Sequence, residues 1–392
     1  MVSEVYVIEA KRTAIGSFGK SLKPLSAIDL GEAVTNELFR PNDSLRESVD
    51  DVYFGNVFKS GLKGNPARQI GLRAGLPVSA TAMTVDHQCA SGMMAMIQAM
   101  QKLSLGLSQV AVAGGTESMS NVPHLLMEMR NGVRLGEAKV EDALLHDGLV
   151  CAMENYHMGV TAENLVDKYN LSRKEQDAFA LRSQEKAAEA IASGRFEEEI
   201  VPVTVRVKGK DTIFNQDEHP RATSLEKLGQ LGAAFKEGGS VTAGNASGLN
   251  DGAAALLLAS KEAVEAHGLK PLAKIVSAST RGVPPAIMGI GPVPAILHAL
   301  DQAGLAVPDI DLFEINEAFA SQVLAVNTEL NIPEEKLNVN GGAIALGHPV
   351  GASGARILVT LVHELKRRGQ RYGVASLCVG GGQGAATVVE VV

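Results

Sequence analysis

Nowhere in the 392 residues does an apolar run reach the roughly 18 positions that a membrane-spanning helix needs; the longest candidate is Ala253 to Ala259. A membrane partner is therefore not expected. Cysteine is scarce, and the three present, Cys89, Cys151 and Cys378, are widely spaced. An odd count so spread fits neither a disulfide framework nor a C-x-x-C zinc site, so no metal site is expected and the chain points to a reducing, cytoplasmic setting. Positive charge is in deficit: 36 Lys and Arg stand against 44 Asp and Glu, for a net charge of −8. That balance argues against nucleic acid or an anionic membrane as partner. Two nucleotide motifs also fail. Gly342 to Gly347 has the glycine spacing of a phosphate loop, but His348 and Pro349 replace its Lys and Ser/Thr, and Gly289-Ile290-Gly291 lacks the third glycine of a dinucleotide fingerprint. Met1 to Arg12 mixes acidic with apolar residues, which reads as a strand of mature protein, not a leader; Val-Glu-Val-Val at the C-terminus is no peroxisomal address.

What is present is an ordinary globular composition, 45% hydrophobic and 20% charged, with length for two or three domain-sized units. Strand-like segments at Val5 to Ile8, Asp51 to Phe54 and Gln109 to Ala113 alternate with helical ones, the α/β pattern. Ser26, with Asp29 three residues on, predicts a capped helix to Leu38. The run from Met93 to Met100 leaves almost no polar face and predicts a helix buried on all sides. From about Ser120 to Asn250 the chain turns charged and irregular, with a capping box at Ser172 and Glu175, a helix to about Ala192 and Gly194 as its stop. Lys208 to Arg221 is polar and turn-rich. This stretch reads as an insertion lying over the core.

The last third echoes the first. Ala90-Ser91-Gly92 recurs as Ala352-Ser353-Gly354, and Asp51 to Asn56 parallels Asp311 to Asn316. Duplication of an α/β half predicts two apolar helices packed between two sheets, with both helix N-termini near one pocket.

Four places look chemically loaded. Cys89 sits where a strand gives way to the first apolar helix, whose N-terminus would favour a thiolate; the alternative is a buried cysteine acting as a small hydrophobe. His348, in the corresponding loop of the second half, is the side chain that titrates in the range a nucleophilic thiol requires, or else a loop histidine satisfying carbonyls. Cys378 precedes three glycines at a strand end, either as a chemical group or as a strand-end hydrophobe. Asn316 follows another strand, where a helix cap is the ordinary role. Cys151, His87, His124 and His146 read as structural.

Six motifs in order, Cys89 to Gly92, Gly114 to Ser120, Gly244 to Gly252, Asn316 to Phe319, Gly347 to Pro349 and Cys378 to Gly382, resemble the signature set of the thiolases over nearly the whole chain. The resemblance implies a five-layered α-β-α-β-α duplicated fold with an inserted loop domain. The halves would be 1–119 plus 251–270 and 271–392, with 120–250 as the coenzyme A-binding insertion. It implies that Cys89, activated by His348, is acylated by a thioester, and that Cys378 then deprotonates a second acetyl-CoA whose carbanion attacks the acyl group. One oxyanion hole would be His348 with a water held by Asn316, the other the N–H groups of Cys89 and Gly380, each donor being worth roughly 3 to 4 kcal/mol. Ser247 would bond the pantetheine, Ala234, Phe235, Ala243, Leu249 and Phe319 would line its tunnel, and Arg221 would lie near the adenine and phosphates. His157 and Met158, with Met288, would narrow the acyl pocket, so that acetyl-CoA, acetoacetyl-CoA and CoA are the expected partners. No tightly bound cofactor is implied, and the family's habit is dimers or dimers of dimers. Asp86 stands where many members carry Asn, and Leu231 to Phe235 lacks their Arg-Pro before Ala-Phe. The rival readings are a thiolase of longer-chain preference, a decarboxylating ketoacyl synthase, for which a second cysteine is unnecessary, and a silent acyl-CoA binding protein.

Overall fold

The computed structural model describes residues 3–207 and 209–392. The strand reading of the N-terminus is thus tested from Ser3 and the polar stretch from residue 209, since Met1, Val2 and Lys208 lie outside the described residues.

The first half runs β1 (Val5–Thr13), α1 (Ala27–Leu38), β2 (Asp51–Gly55), α2 (Pro66–Arg73), β3 (Thr81–Val85), α3 (Ser91–Ser104) and β4 (Val110–Ser118), and after the insertion β5 (Asn250–Ser260). The second half runs β6 (Ala273–Gly282), α6 (Pro292–Ala303), β7 (Leu312–Ile315), α7 (Ala320–Leu330), α8 (Val350–Arg368), β8 (Tyr372–Val379) and β9 (Gln383–Val391). Between them lie α4 (Met158–Tyr169) and α5 (Arg173–Ala192). The strand order is β7-β8-β9-β6-β1-β5-β4-β2-β3. Its two ends mirror each other. In the first half β1–β5 and β5–β4 are antiparallel and β4–β2 parallel; in the second, β6–β9 and β9–β8 are antiparallel and β8–β7 parallel. The counterpart of β3 has shrunk to one parallel bridge, Phe313 with Leu337.

One outcome departs from the expectation of two sheets facing each other. They are continuous, joined through Val5–Ile275, Tyr6–Lys274 and Val7–Ala273 where β1 meets β6. The layering survives because the joined sheet folds around α3 and α8. Met93, Met96 and Ile97 of α3 pack with Ile357, Leu358 and Leu361 of α8 in one central core. Outside the first half, Leu30, Val34 and Leu38 of α1 close on Val52, Val112 and Leu257; outside the second, Ile296 and Leu300 of α6 close on Phe313, Val374 and Val388. Helix, sheet, paired helices, sheet and helix make five layers.

Glycine sets how closely the central helices approach. A Cβ on Gly354 would fall 2.5 Å from the Met93 backbone nitrogen, and one on Gly92 2.9 Å from that of Ala355. Hence the small residues of the repeated Ala-Ser-Gly. Burial of α3 is less complete than its composition predicts: Met94, Gln98 and Met100 are half-buried and Gln101 is exposed. The helix passes behind β3, an edge strand, which covers one flank incompletely.

The local signals in the insertion hold. Ser172 and Glu175 form a reciprocal capping box at the start of α5, and Gly194 beyond its end takes φ +70°. Ser26 and Asp29 do the same for α1. Among the described residues no helix is long and apolar enough to cross a membrane.

Candidate active site

Between β3 and α3 the chain turns sharply, with Gln88 held at φ +47°. Ser91 clamps that turn, its Oγ accepting the His87 N–H at 2.8 Å and donating to the Gln88 carbonyl at 2.7 Å. Cys89 is thereby lifted out one step before the helix, which begins at Ser91 after Ala90 and not at Cys89 itself. Its thiol packs among Val57, Met119 and Val350. Burial pushes the thiol up to about 11, against the opposing pull of the nearby Gly380 and Cys89 backbone N–H groups. Backbone donors beside a reacting sulfur are what an oxyanion forming one bond away requires.

The second half brings His348 to the same wall. Gly347, at φ +106°, makes this possible, since a Cβ there would lie 2.5 Å from the Asn250 side chain. Asn250 fixes the loop by accepting the His348 N–H at 2.9 Å while donating to the Gly16 carbonyl at 3.0 Å. His348 Nδ1 lies 2.6 Å from Ser353 Oγ, and Nε2 has no partner among the described residues. Burial lowers the imidazole from 6.5 to about 4, and the Arg356 guanidinium acts in the same direction. At neutral pH the Cys89–His348 pair is therefore thiol and neutral imidazole.

That shift has a stability signature. A histidine whose folded pKa lies below its unfolded one binds fewer protons when folded, so its contribution is whole above about 6.5 and is lost as pH falls toward about 4. Urea midpoints of the wild type are expected to drop across that window more steeply than those of His348→Asn; parallel curves would show that His348 is not held neutral.

Cys378 lies one residue before the end of β8, paired with Gly384 of β9, and is fully buried among Met158, Met288, Ala318 and Phe319. Burial raises its thiol well above the ordinary range, with Cys89 adding to the shift. Asn316 follows β7, donating its N–H to the Ser376 carbonyl at 2.9 Å; neither side-chain amide atom has a partner among the described residues. Asn316 caps no helix, because α7 starts only at Ala320, after Phe319. After Cys378 the chain reverses through Gly381 and Gly382, at φ +82° and +87°, with Gly380 on the same cavity wall as Cys89.

Cys89, His348 and Gly380 open onto one apolar cavity of about 430 Å³; Cys378 is packed behind lining residues Met158, Met288, Ala318 and Phe319, and Asn316 is fully buried and does not line the cavity. Ser247, Arg221, Ala234, Phe235, Ala243, Leu249, Phe319, His157, Met158 and Met288 line the same cavity. Their placement has local causes. His157 caps α4 by accepting the Gly159 N–H on Nδ1 at 3.0 Å, and its ring stacks on Phe235 with centroids 4.6 Å apart. Phe235 in turn meets Phe319 edge-on at 5.9 Å. Gly159 must stay bare, for a Cβ would enter the Phe235 ring. Arg221 is anchored by Nη2 to the Ala243 carbonyl at 3.0 Å.

Other lining residues, among them Gln88, Leu145, Leu149, His219, Ala246 and Ala318, are absent from the sequence reading. Ala246 and Ala318 had a signal, being neighbours of Ser247 and Phe319 in two motifs that pair directly, Ser247 donating its N–H to the Ala318 carbonyl at 3.0 Å. Leu145 and Leu149 lie in a single wide helical turn of the insertion, and His219 in a polar stretch without periodicity; neither had one.

A duplicated five-layered α/β fold with a cysteine, a histidine and glycine-borne N–H groups at the contact of its halves defines a thiolase-type enzyme. Residues 5–262 match the thiolase N-terminal domain and residues 269–391 the thiolase C-terminal domain, and the chain belongs to the thiolase family. It is 53% identical over 386 residues to the acetyl-CoA acetyltransferase of Escherichia coli (strain K12), covering 98% of each chain. With that of Syntrophomonas wolfei it shares 48% over 394 residues and the whole of both chains. Among solved structures it superposes on the acetyl-CoA acetyltransferase of Bacillus anthracis with a TM-score of 0.98 at 47% identity, covering 100% and 99% of the chains. On human mitochondrial 3-ketoacyl-CoA thiolase in complex with CoA the TM-score is 0.96 at 45% identity, covering 100% and 98%.

Proposed function

We propose that the enzyme joins two molecules of acetyl-CoA into acetoacetyl-CoA and CoA, and runs the reverse thiolysis, through an acyl group carried on Cys89. The observation that carries this reading is the convergence on one apolar cavity of the Cys89 thiol, the Gly380 backbone and a buried imidazole whose Nε2 has no partner among the described residues. His348 takes the Cys89 proton as the sulfur attacks the thioester carbonyl, the oxyanion settles on the Cys89 and Gly380 N–H groups, and the proton leaves with CoA. Cys378 passes its own proton to the freed His348 and, as the thiolate, accepts a methyl proton from the second acetyl-CoA, and the resulting enolate oxygen is held by the now protonated His348 and by a water on Asn316. A thiol raised by burial suits that step, since the higher its pKa the stronger the base it yields. The carbanion attacks the acetyl carbonyl, and the Cys89 sulfur leaves and recovers a proton from His348.

Residues 120–250 act as the coenzyme A-binding domain on this reading, between halves 1–119 plus 251–270 and 271–392. Ser247 and the His157–Phe235–Phe319 wall hold pantetheine, and Arg221 the nucleotide end. Met158 and Met288 cluster with Cys378 and shorten the acyl pocket, which favours acetyl and acetoacetyl substrates over longer chains. No further cofactor or metal takes part. The edge of β3 with Met83 exposed, and the exposed Leu126, Met127 and Leu135 of the insertion, support a homo-oligomer, dimer or tetramer, and the three free, scattered cysteines support a reducing, cytoplasmic setting.

Release of free CoA from acetyl-CoA, and CoA-dependent loss of acetoacetyl-CoA, test the reading. Acetoacetyl-CoA is expected to be cleaved with a kcat/KM above that of 3-ketoacyl-CoA substrates of eight or more carbons. Faster cleavage of the longer chains would make this a 3-ketoacyl-CoA thiolase, and binding without turnover a silent acyl-CoA binding protein.

A further inference from the structure

The glycine of each repeated Ala-Ser-Gly is explained by the contact of α3 with α8; the serines are not. Both are completely buried, and each spends its hydroxyl on the chemistry-bearing loop just ahead of it. Ser91 clamps the turn that presents Cys89. Ser353 Oγ lies 2.9 Å from the Pro349 carbonyl and 2.6 Å from His348 Nδ1. We propose that Ser353 is a positioning residue that keeps the His348 proton on Nδ1, leaving Nε2 a bare acceptor at the cavity wall.

The assignment follows from counting protons. A hydroxyl has one to give and two lone pairs to offer, whereas a carbonyl only accepts. If Ser353 gives its proton to the Pro349 carbonyl, a lone pair remains for Nδ1–H. If it gives that proton to Nδ1, the imidazole proton moves to Nε2, which has no acceptor among the described residues and could then take nothing from a thiol. The Pro349 carbonyl also accepts the amides of Ala352 at 2.9 Å and Ser353 at 3.0 Å, so the first turn of α8 fixes hydroxyl and carbonyl together. The same Nδ1–H to Oγ bond persists when Nε2 is protonated, because imidazolium donates from both nitrogens. A serine thus orients the ring without the negative charge that a carboxylate would bring, consistent with an imidazole kept neutral. The duplication has placed one residue type at one position in both halves and given it two tasks, shaping the nucleophile turn in one and selecting a tautomer in the other.

This inference rests on His348 being the proton acceptor, and its test separates the two. Long-range proton–nitrogen correlation spectra of the full-length enzyme labelled with ¹⁵N in the imidazoles report the tautomer directly, with the His348 signals identified by their loss in His348→Asn. The wild type is expected to show protonated Nδ1 and unprotonated Nε2. Ser353→Ala is expected to move the proton toward Nε2 and to lower the thiolysis kcat by about 10- to 100-fold with little change in KM for CoA. Ser353→Thr, which keeps the oxygen, and Ser91→Ala, which lies in the other half, should both keep the wild-type tautomer. A wild-type Nε2–H tautomer, or an Nδ1–H tautomer that survives in Ser353→Ala, overturns the proposal, and the wild-type spectrum decides even if the alanine variant does not fold. Full thiolysis activity in His348→Asn would instead remove His348 from the chemistry.

Discussion

Cys89→Ala is expected to abolish both acetyl-CoA condensation and acetoacetyl-CoA thiolysis, by about 10⁴-fold or more, the scale on which loss of a covalent nucleophile is felt. The effect should be chemical, not structural. Cys89 is half-buried, and the turn that carries it is held by Ser91 and Gln88 backbone contacts that alanine leaves intact. Circular dichroism and the urea midpoint should therefore match the wild type. Cys378→Ala divides the reaction differently. Acylation by acetyl-CoA, read as one equivalent of CoA released, should continue, while condensation and thiolysis fail for lack of the second base. Equal loss of acylation in both variants would count against separate tasks for the two thiols.

Gly354→Ala is expected to be strongly destabilising although it adds a single methyl. In an exposed helix the same change would stabilise by about 1 kcal/mol. Here the new Cβ would meet the Met93 backbone nitrogen at 2.5 Å and the Met93 Cβ at 2.8 Å. Backbone cannot step aside as a side-chain tip can, so overpacking wins, at about 3 kcal/mol in the urea-unfolding free energy. Because α3 and α8 also carry the loops of Cys89 and His348, activity should fall in the remaining folded enzyme. Gly229→Ala, which meets no atom within 4 Å, provides the contrast. Equal stability of the two variants would show that the helices do not touch at Gly354.

Much of this was legible in the sequence because the signals were local or repeated. Ser26 with Asp29 and Ser172 with Glu175 fix helix starts through side chains three residues apart, and a hydrogen bond that short needs no tertiary knowledge. The echo of Ala90–Gly92 in Ala352–Gly354 exposed the duplication, and the structure matches four strands of one half to four of the other, with only a bridge opposite β3. What escaped depends on neighbours remote in sequence. The three residue pairs between β1 and β6 that merge the sheets lie at strand ends and leave no periodic mark. The half-exposed flank of α3 follows from β3 being an edge, which the apolar run of methionines cannot report. The cavity residues matched to the motifs were found, but His219, Leu145 and Leu149 reach the cavity only through the path of the insertion.

On the proposed mechanism an acetyl group rests on the sulfur of Cys89 between the two half-reactions. The most direct test is to incubate Cys378→Ala with acetyl-CoA, quench in acid and locate the modification by peptide mass spectrometry. One acetyl group on Cys89, absent after incubation with CoA alone and removed on adding excess CoA, is the predicted result. An unmodified Cys89, or an acetyl group carried on another residue, would contradict it.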